Sequence, residues 1–166
     1  MRLTTPKTWL LSLLLLPGMA WAQTDGPIAL SADSAEVNEA EGVSLYRGNV
    51  VLTRGDMRIT GDLMRVFTDT ERQLQRIEVE GTPATWQQTL PEADPRQAEA
   101  PRMDYYASGP ERVILREGGR LWQGDNTVSG TTITHYPAEA RTVAEGEGGD
   151  DGRVSATVYP EGEGAQ

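Results

Sequence analysis

The chain has no cysteine and a single histidine, His135, among its 166 residues. The first absence removes thiol nucleophiles, disulfides and thiolate metal sites together. The second leaves no material for a histidine metal cluster, and no Ser-His-Asp assembly follows from one residue. Lysine occurs once, at Lys7, so every later cation is an arginine, and phenylalanine also occurs once, at Phe67. No Gly-rich phosphate loop of the Walker type is present, so any directed transport would draw its energy from a partner.

Long apolar runs are also scarce. Arg2 and Lys7 precede the run Trp9 to Leu16, Pro17-Gly18 breaks it, and Ala20-Trp21-Ala22 places small residues where a signal peptidase reads. A bilayer span needs about 20 apolar residues, which this run does not reach. Residues 1–22 are therefore expected to be a cleavable secretory signal, followed by one domain over 23–160 and a flexible tail over 161–166. Taking the two basic residues of the leader from 15 leaves 13 cations against 25 acidic residues, a net charge of −12. That balance argues against nucleic acid as a partner. An exported domain without disulfides must be held by its sheet and core, which points to the periplasm.

What is present is an internal repeat. Arg47 to Phe67 aligns without a gap on Arg116 to Tyr136, an offset of 69 residues, placing Leu52 on Leu121, Gly55-Asp56 on Gly124-Asp125 and Gly61 on Gly130. The shared positions are turn glycines and alternating apolar residues, so a sheet was duplicated and not a reaction centre. Short β-type runs recur every eight to twelve residues, from Ile28-Ala29-Leu30 to Val154–Tyr159, and many alternate apolar with polar residues. Gly48-Asn49, Gly55-Asp56, Gly118-Gly119 and Gly124-Asp125 tolerate the positive φ of tight hairpin turns. Together they predict an all-β meander of antiparallel hairpins without a helix; Ala35 to Glu41 reads as strand plus loop.

Parity within each strand gives an inward set: Ile28, Leu30, Val50, Leu52, Met57, Ile59, Met64, Val66, Ile77, Val79, Trp86, Met103, Tyr105, Val113, Leu115, Leu121, Val128, Ile133, Val154 and Val158. Most are aliphatic or Met, which predicts an interior that is narrow or incompletely self-filling. Gln88 to Pro101 carries three prolines and reads as a long surface loop. Ala144 to Gly152 reads as an acidic, Gly-rich connector, since its carboxylates lack the ordered spacing of a calcium loop. His135 aligns with Val66 and is expected to be structural or exposed. Arg54-Gly55-Asp56 spells an adhesion tripeptide, but Gln123-Gly124-Asp125 in the second repeat shows that the turn requires only Gly-Asp.

Several of these pieces carry a resemblance. Pro27 to Asp33, Tyr46 to Gly55, Gly81 to Trp86, Gly124 to Gly130 and Gly152-Arg153-Val154, in that order behind a cleavable signal, resemble the OstA-like family of periplasmic lipopolysaccharide-transport bridge proteins. The match spans the mature chain and departs from the family pattern at Glu117-Gly118-Gly119, where the family tends to show Gly-Asn-Ala. The resemblance implies an open, twisted β-jellyroll with an apolar groove between two sheets and no enzymatic activity or cofactor. It implies lipopolysaccharide as cargo, bound through the lipid A moiety. Protomers would stack end to end, with an LptC-like inner-membrane partner at the N-terminal edge near Ile28 and Leu30 and an LptD-like outer-membrane receptor at the C-terminal edge near Val154 and Val158.

With a net charge of −12, affinity is expected to come from acyl chains at about 0.8 kcal/mol per buried CH₂. Head groups would face solvent, and arginines at a groove mouth would assist. Parity and the family's apolar positions together nominate Ile28, Leu30, Leu52, Ile59, Trp86, Tyr105 and Ile133 as groove-lining residues. Three alternatives stay open: a related OstA-like module of a membrane-anchored partner or receptor plug, a self-assembling β-protein without cargo, and a β-solenoid carbohydrate-active enzyme. The last requires two inward carboxylates, which the parity does not offer.

Overall fold

The computed structural model describes residues 26–146 and 152–159. The expected signal segment, the expected tail and most of the acidic connector lie outside the described residues. The chain forms strands β1 (Ile28–Ser31), β2 (Ser34–Asn38), β3 (Val43–Arg54), β4 (Met57–Thr68), β5 (Leu74–Leu90), β6 (Ala93–Tyr106), β7 (Arg112–Arg116), β8 (Gly119–Gln123), β9 (Asn126–Gly130), β10 (Thr132–Tyr136), β11 (Arg141–Glu145) and β12 (Ser155–Thr157). A short 3-10 turn at Pro137–Glu139 links β10 to β11.

All neighbouring pairs are antiparallel, in one sheet of twelve strands. The sheet is creased along one line that crosses β3 to β6 and passes between the shorter strands. Pairing shifts at Arg47/Val50 in β3, at Thr60/Leu63 in β4 and at Glu80/Ala84 in β5. It changes partner from β8 to β7 between Glu99 and Arg102 of β6, and Thr131 separates β9 from β10. The crease divides the sheet into two leaves. Leaf 1 holds β1, the 50–60 hairpin, residues 84–100, β8, β9 and β12; leaf 2 holds β2, residues 43–47 and 63–80, the end of β6, β7, β10 and β11.

The repeat is reproduced in this geometry residue for residue. Val50↔Gly61, Leu52↔Ile59 and Arg54↔Met57 in the first hairpin become Gly119↔Gly130, Leu121↔Val128 and Gln123↔Asn126 in the second, at the same offset of 69. Gly48 and Asn49 both have positive φ (78° and 46°), and so do Glu117 and Gly118 (66° and 91°). Two consecutive left-handed residues therefore kink the chain at the crease in each copy. Gly48-Asn49 and Gly118-Gly119 were expected to close hairpins; the first pair and Glu117-Gly118 bend the chain instead, and Gly119 opens β8. The departure at Glu117-Gly118-Gly119 leaves the conformation intact, with a glutamate accepting the left-handed cost that glycine avoids.

The core lies between the leaves. Val50, Leu52, Ile59, Trp86, Ala98, Ala100 and Leu121 of leaf 1 meet Met64, Val66, Ile77, Val79, Met103, Tyr105, Val113, Leu115 and Ile133 of leaf 2, all buried. The largest of these side chains, among them Trp86, Leu52, Ile59, Met64, Ile77 and Met103, are almost completely withdrawn from solvent.

The segment expected as a loop, Gln88 to Pro101, is the end of β5, a turn at Pro91-Glu92 and the first half of β6. Each proline sits where no ladder N–H is needed. Pro91 opens the turn, Pro95 lies in the bulge between the pairs Gln88↔Arg96 and Leu90↔Ala93, and Pro101 lies in the crease. Ile28, Val154 and Val158 of the expected inward set are exposed, and Leu30 and Val128 are half-buried. Their parity is right, but they stand on terminal strands where the opposite leaf does not cover them.

Candidate functional site

Directly opposed residues of an antiparallel pair share a face of the sheet. Following the registers across leaf 1 from β1 gives one inner row: Leu30, Leu52, Ile59, Trp86, Ala98, Leu121, Val128 and Ala156. Leaf 2 supplies the opposing row: Ala35, Tyr46, Met64, Val79, Met103, Leu115, Ile133 and Ala144. The rows run perpendicular to the strands. Each crosses the sheet from one terminal edge to the other, at about 4.8 Å per strand. Packed against each other, they form one apolar core axis, the candidate channel, and not a closed pocket.

The expected groove residues fall into this arrangement. Leu30, Leu52, Ile59 and Trp86 are consecutive members of the leaf 1 row, and Ile133 belongs to the leaf 2 row. Tyr105 lies one inner row nearer the margin of leaf 2, with Val66, Ile77, Val113, His135 and Thr142. Ile28 stands at the outer end of the marginal row of leaf 1, opposite Arg54, and is 41 % exposed. Sequence reading missed Ala98 and Ala100, buried beside Trp86. Their small side chains leave room for the indole, and the alternation Arg96, Ala98, Ala100 was the available signal.

Away from the crease the inner face turns polar. Met57, Gln88, Arg96, Gln123 and Asn126 form the marginal row of leaf 1. Arg96 Nε donates to Gln123 Oε1 at 3.2 Å, and Gln88 Nε2 donates to Asp56 at 3.0 Å. Across the mouth, Tyr105 donates its hydroxyl proton to Glu111 at 2.8 Å, and burial together with that carboxylate pushes its pKa up. His135, 2 % exposed, shares a 3.0 Å hydrogen bond between Nδ1 and Thr142 and stacks obliquely on Trp86, ring centroids 5.8 Å apart. Burial, and secondarily the Arg96 cation, lower its pKa to about 4, so it is neutral near pH 7. Trp86 Nε1, Gln88 Oε1 and His135 Nε2 are buried without a hydrogen-bond partner. The His135 ring borders a cleft of about 170 Å³ at the C-terminal end of the mouth, between Arg96, Leu121, Val128, Thr142 and Val158.

Both ends of the channel are uncovered. The exposed large hydrophobic residues among those described are Ile28, Val37, Val143, Val154, Val158 and Tyr159, and every one lies on or beside a terminal strand. By register Ile28, Val37, Val154 and Val158 occupy inner-face positions. The outer sides of β1, β2, β11 and β12 pair with no other strand among the described residues, leaving backbone donors and acceptors at both ends.

Asp104, the buried carboxylate among the described residues, faces outward and is held by Arg116 Nε at 2.6 Å. No group of three or more potential metal ligands occurs among the described residues.

The family model described as LptA/(LptD N-terminal domain) LPS transport protein matches residues 29–141. The lipopolysaccharide export system protein LptH of Pseudomonas aeruginosa is 32% identical over 110 residues, 66% of this chain and 62% of that protein. The lipopolysaccharide export system protein LptA of Escherichia coli is 28% identical over 138 residues, 82% of this chain and 73% of that one. The crystal structure of LptH, described as the LptA-homologous periplasmic component of a lipopolysaccharide transport device, superposes with a TM-score of 0.75 at 27% identity, covering 82% of this chain and 98% of that one. The matched span contains both repeats, the crease and both apolar rows as far as β10, and the chain belongs to the LptA/LptD N-terminal domain family of lipopolysaccharide transport proteins.

Proposed function

We propose that the protein is a periplasmic lipopolysaccharide carrier, bridging the inner and outer membranes and moving the amphiphile by its lipid A acyl chains along the channel between the leaves. The observation that carries this reading is the continuous apolar double row, uncovered at both ends. A pocket for a soluble ligand would be enclosed; a conduit must be open where it continues into the next molecule. Membership of a transport family, not an enzyme family, supports the same conclusion.

Acyl chains supply the affinity at about 0.8 kcal/mol per buried CH₂, since a chain with a net charge of −10 repels anionic head groups at long range. Chains enter by parting the leaves, and the buried Met57, Met64 and Met103 suit repacking around them. The bare strand edges support continuation by β-strand addition. An LptC-like partner would join at β1 and β2, an LptD-like receptor at β11 and β12, and further copies of the chain between them.

Site-specific photo-crosslinking to lipopolysaccharide from Leu52, Ile59, Trp86, Tyr105 and Ile133 is expected to label. The outward-facing Arg58 and Thr134 are expected to stay dark, and labelling confined to those two would sink the reading.

A further inference from the structure

The outer face of leaf 2 carries a second row that neither the core nor the channel uses. Phe67 stands opposite Arg76, Arg76 opposite Tyr106, and Tyr106 opposite Arg112. One rung beyond the pair His135↔Val113, the same register places Arg112 beside Tyr136, which opposes Arg141. Six neighbouring strands thus alternate ring and guanidinium. The contacts are real cation–π stacks: Arg76 lies 4.4 Å from the Phe67 centroid and 5.9 Å from that of Tyr106, Arg112 lies 3.9 Å from Tyr106, and Arg141 lies 3.9 Å from Tyr136.

Position and charge give the row a meaning. It occupies the last rung of β6, β7, β10 and β11, and in β4 and β5 only the pair Thr68↔Leu74 lies beyond it, so it borders the margin opposite the crease, just outside the mouth. It runs parallel to the apolar channel. Its three arginines recur every second strand, roughly 10 Å apart, in a chain whose net charge is −10. Arg76 is met by Glu78 at 2.9 Å and Arg141 by Glu139 at 2.7 Å. Arg112 pairs with no carboxylate among the described residues; its Nη1 donates to the Pro110 carbonyl at 3.1 Å. The adjacent Glu111 is engaged by the Tyr105 hydroxyl. Stacking on a ring restrains a guanidinium before any ligand arrives, which lowers the entropy cost of binding, and the guanidinium fork matches phosphate and carboxylate.

We propose that this row is a binding rail for the anionic saccharide head of the cargo, taking sugars that bear phosphate or carboxylate while the acyl chains occupy the channel within. The inference rests on the carrier reading above. It adds a recognition element for the part of the amphiphile that the apolar rows cannot hold.

The test uses the mature chain and a fully deacylated lipopolysaccharide oligosaccharide that retains its phosphates, followed by NMR titration. Saturable shifts are expected at Tyr106, Arg112 and Tyr136, lost with the dephosphorylated oligosaccharide. Arg112→Gln should weaken binding roughly tenfold, the loss of one charge-assisted contact. Arg76→Gln should weaken it less, and Arg120→Gln, which removes a guanidinium stacked on Trp122 outside leaf 1, should leave it unchanged. No binding, or equal binding by Arg112→Gln, overturns the rail; a matching loss in Arg120→Gln reduces it to general charge attraction and overturns it equally. Extraction of intact lipopolysaccharide with no oligosaccharide binding would leave the carrier reading standing without the rail. Oligosaccharide binding without extraction would do the reverse.

Discussion

At the scale of single residues, His135 shows what an aligned repeat can reveal. Its alignment on Val66 pointed to a structural or exposed residue, and the structure decides for the first: the side chain is buried beside Trp86 and Thr142. The Thr142 partner was not legible, because β11 is outside the aligned repeat. The consequence is a pH dependence of stability. The folded pKa is about 4 against an unfolded value near 6.5, so the unfolded chain takes up a proton in this window that the folded chain refuses. Stability linked to this residue is complete above pH 6.5 and falls as the pH drops towards 4, by at most about 3 kcal/mol. His135→Val, which installs the residue of the first repeat, is expected to fold and to flatten this part of the profile. Chemical denaturation from pH 7 to pH 4 measures it; an unchanged slope would reject the assignment.

At the scale of elements, the crease is what hydrophobic periodicity did not show. Alternation located the strands and their inner faces, but it carries no marker for a bend that preserves parity on both sides. The prolines that made residues 88–101 look like a loop mark the turn, the bulge and the crease of one long hairpin. The duplicated glycines mark the crease as well. A Cβ on Gly61 would meet the Val79 side chain and stand 2.7 Å from the Glu80 carbonyl oxygen, whereas at Gly130 the nearest atom is the Glu145 carbonyl oxygen at 3.0 Å. Gly61→Ala is therefore expected to cost about 1–3 kcal/mol, an overpacking penalty, and Gly130→Ala less. Thermal unfolding of the two variants checks the order, and equal midpoints would show that the crease tolerates a methyl group.

At the scale of the whole molecule, composition excluded more than it assigned. The acidic balance argued against nucleic acid and the lack of cysteine removed thiol and disulfide chemistry, and they left many β-proteins possible. Uncovered terminal edges are a property of the assembled sheet. Apolar side chains stand bare at both ends, so a charge on one end is expected to block continuation there while leaving the fold intact. Val154→Lys with Val158→Lys should abolish concentration-dependent self-association in sedimentation velocity without changing the β-type circular dichroism. Undiminished association would place the contact away from β12.

Local alternation, turn residues and the 69-residue repeat were sufficient to determine an all-β chain and the inner parity of its strands, because these depend on neighbours in sequence. The match between Leu52 and Leu121, or Gly61 and Gly130, could be read before any pairing was known. The tertiary structure decided what joins them. Cross-strand register turned Leu30, Leu52, Ile59 and Trp86 from separate apolar residues into one row, and it set Phe67, Arg76, Tyr106, Arg112, Tyr136 and Arg141 into another. Register depends on contacts between strands far apart in the chain, and the kink that folds one sheet into two leaves is fixed by backbone angles that a glutamate adopts at position 117 as well as a glycine does at position 48.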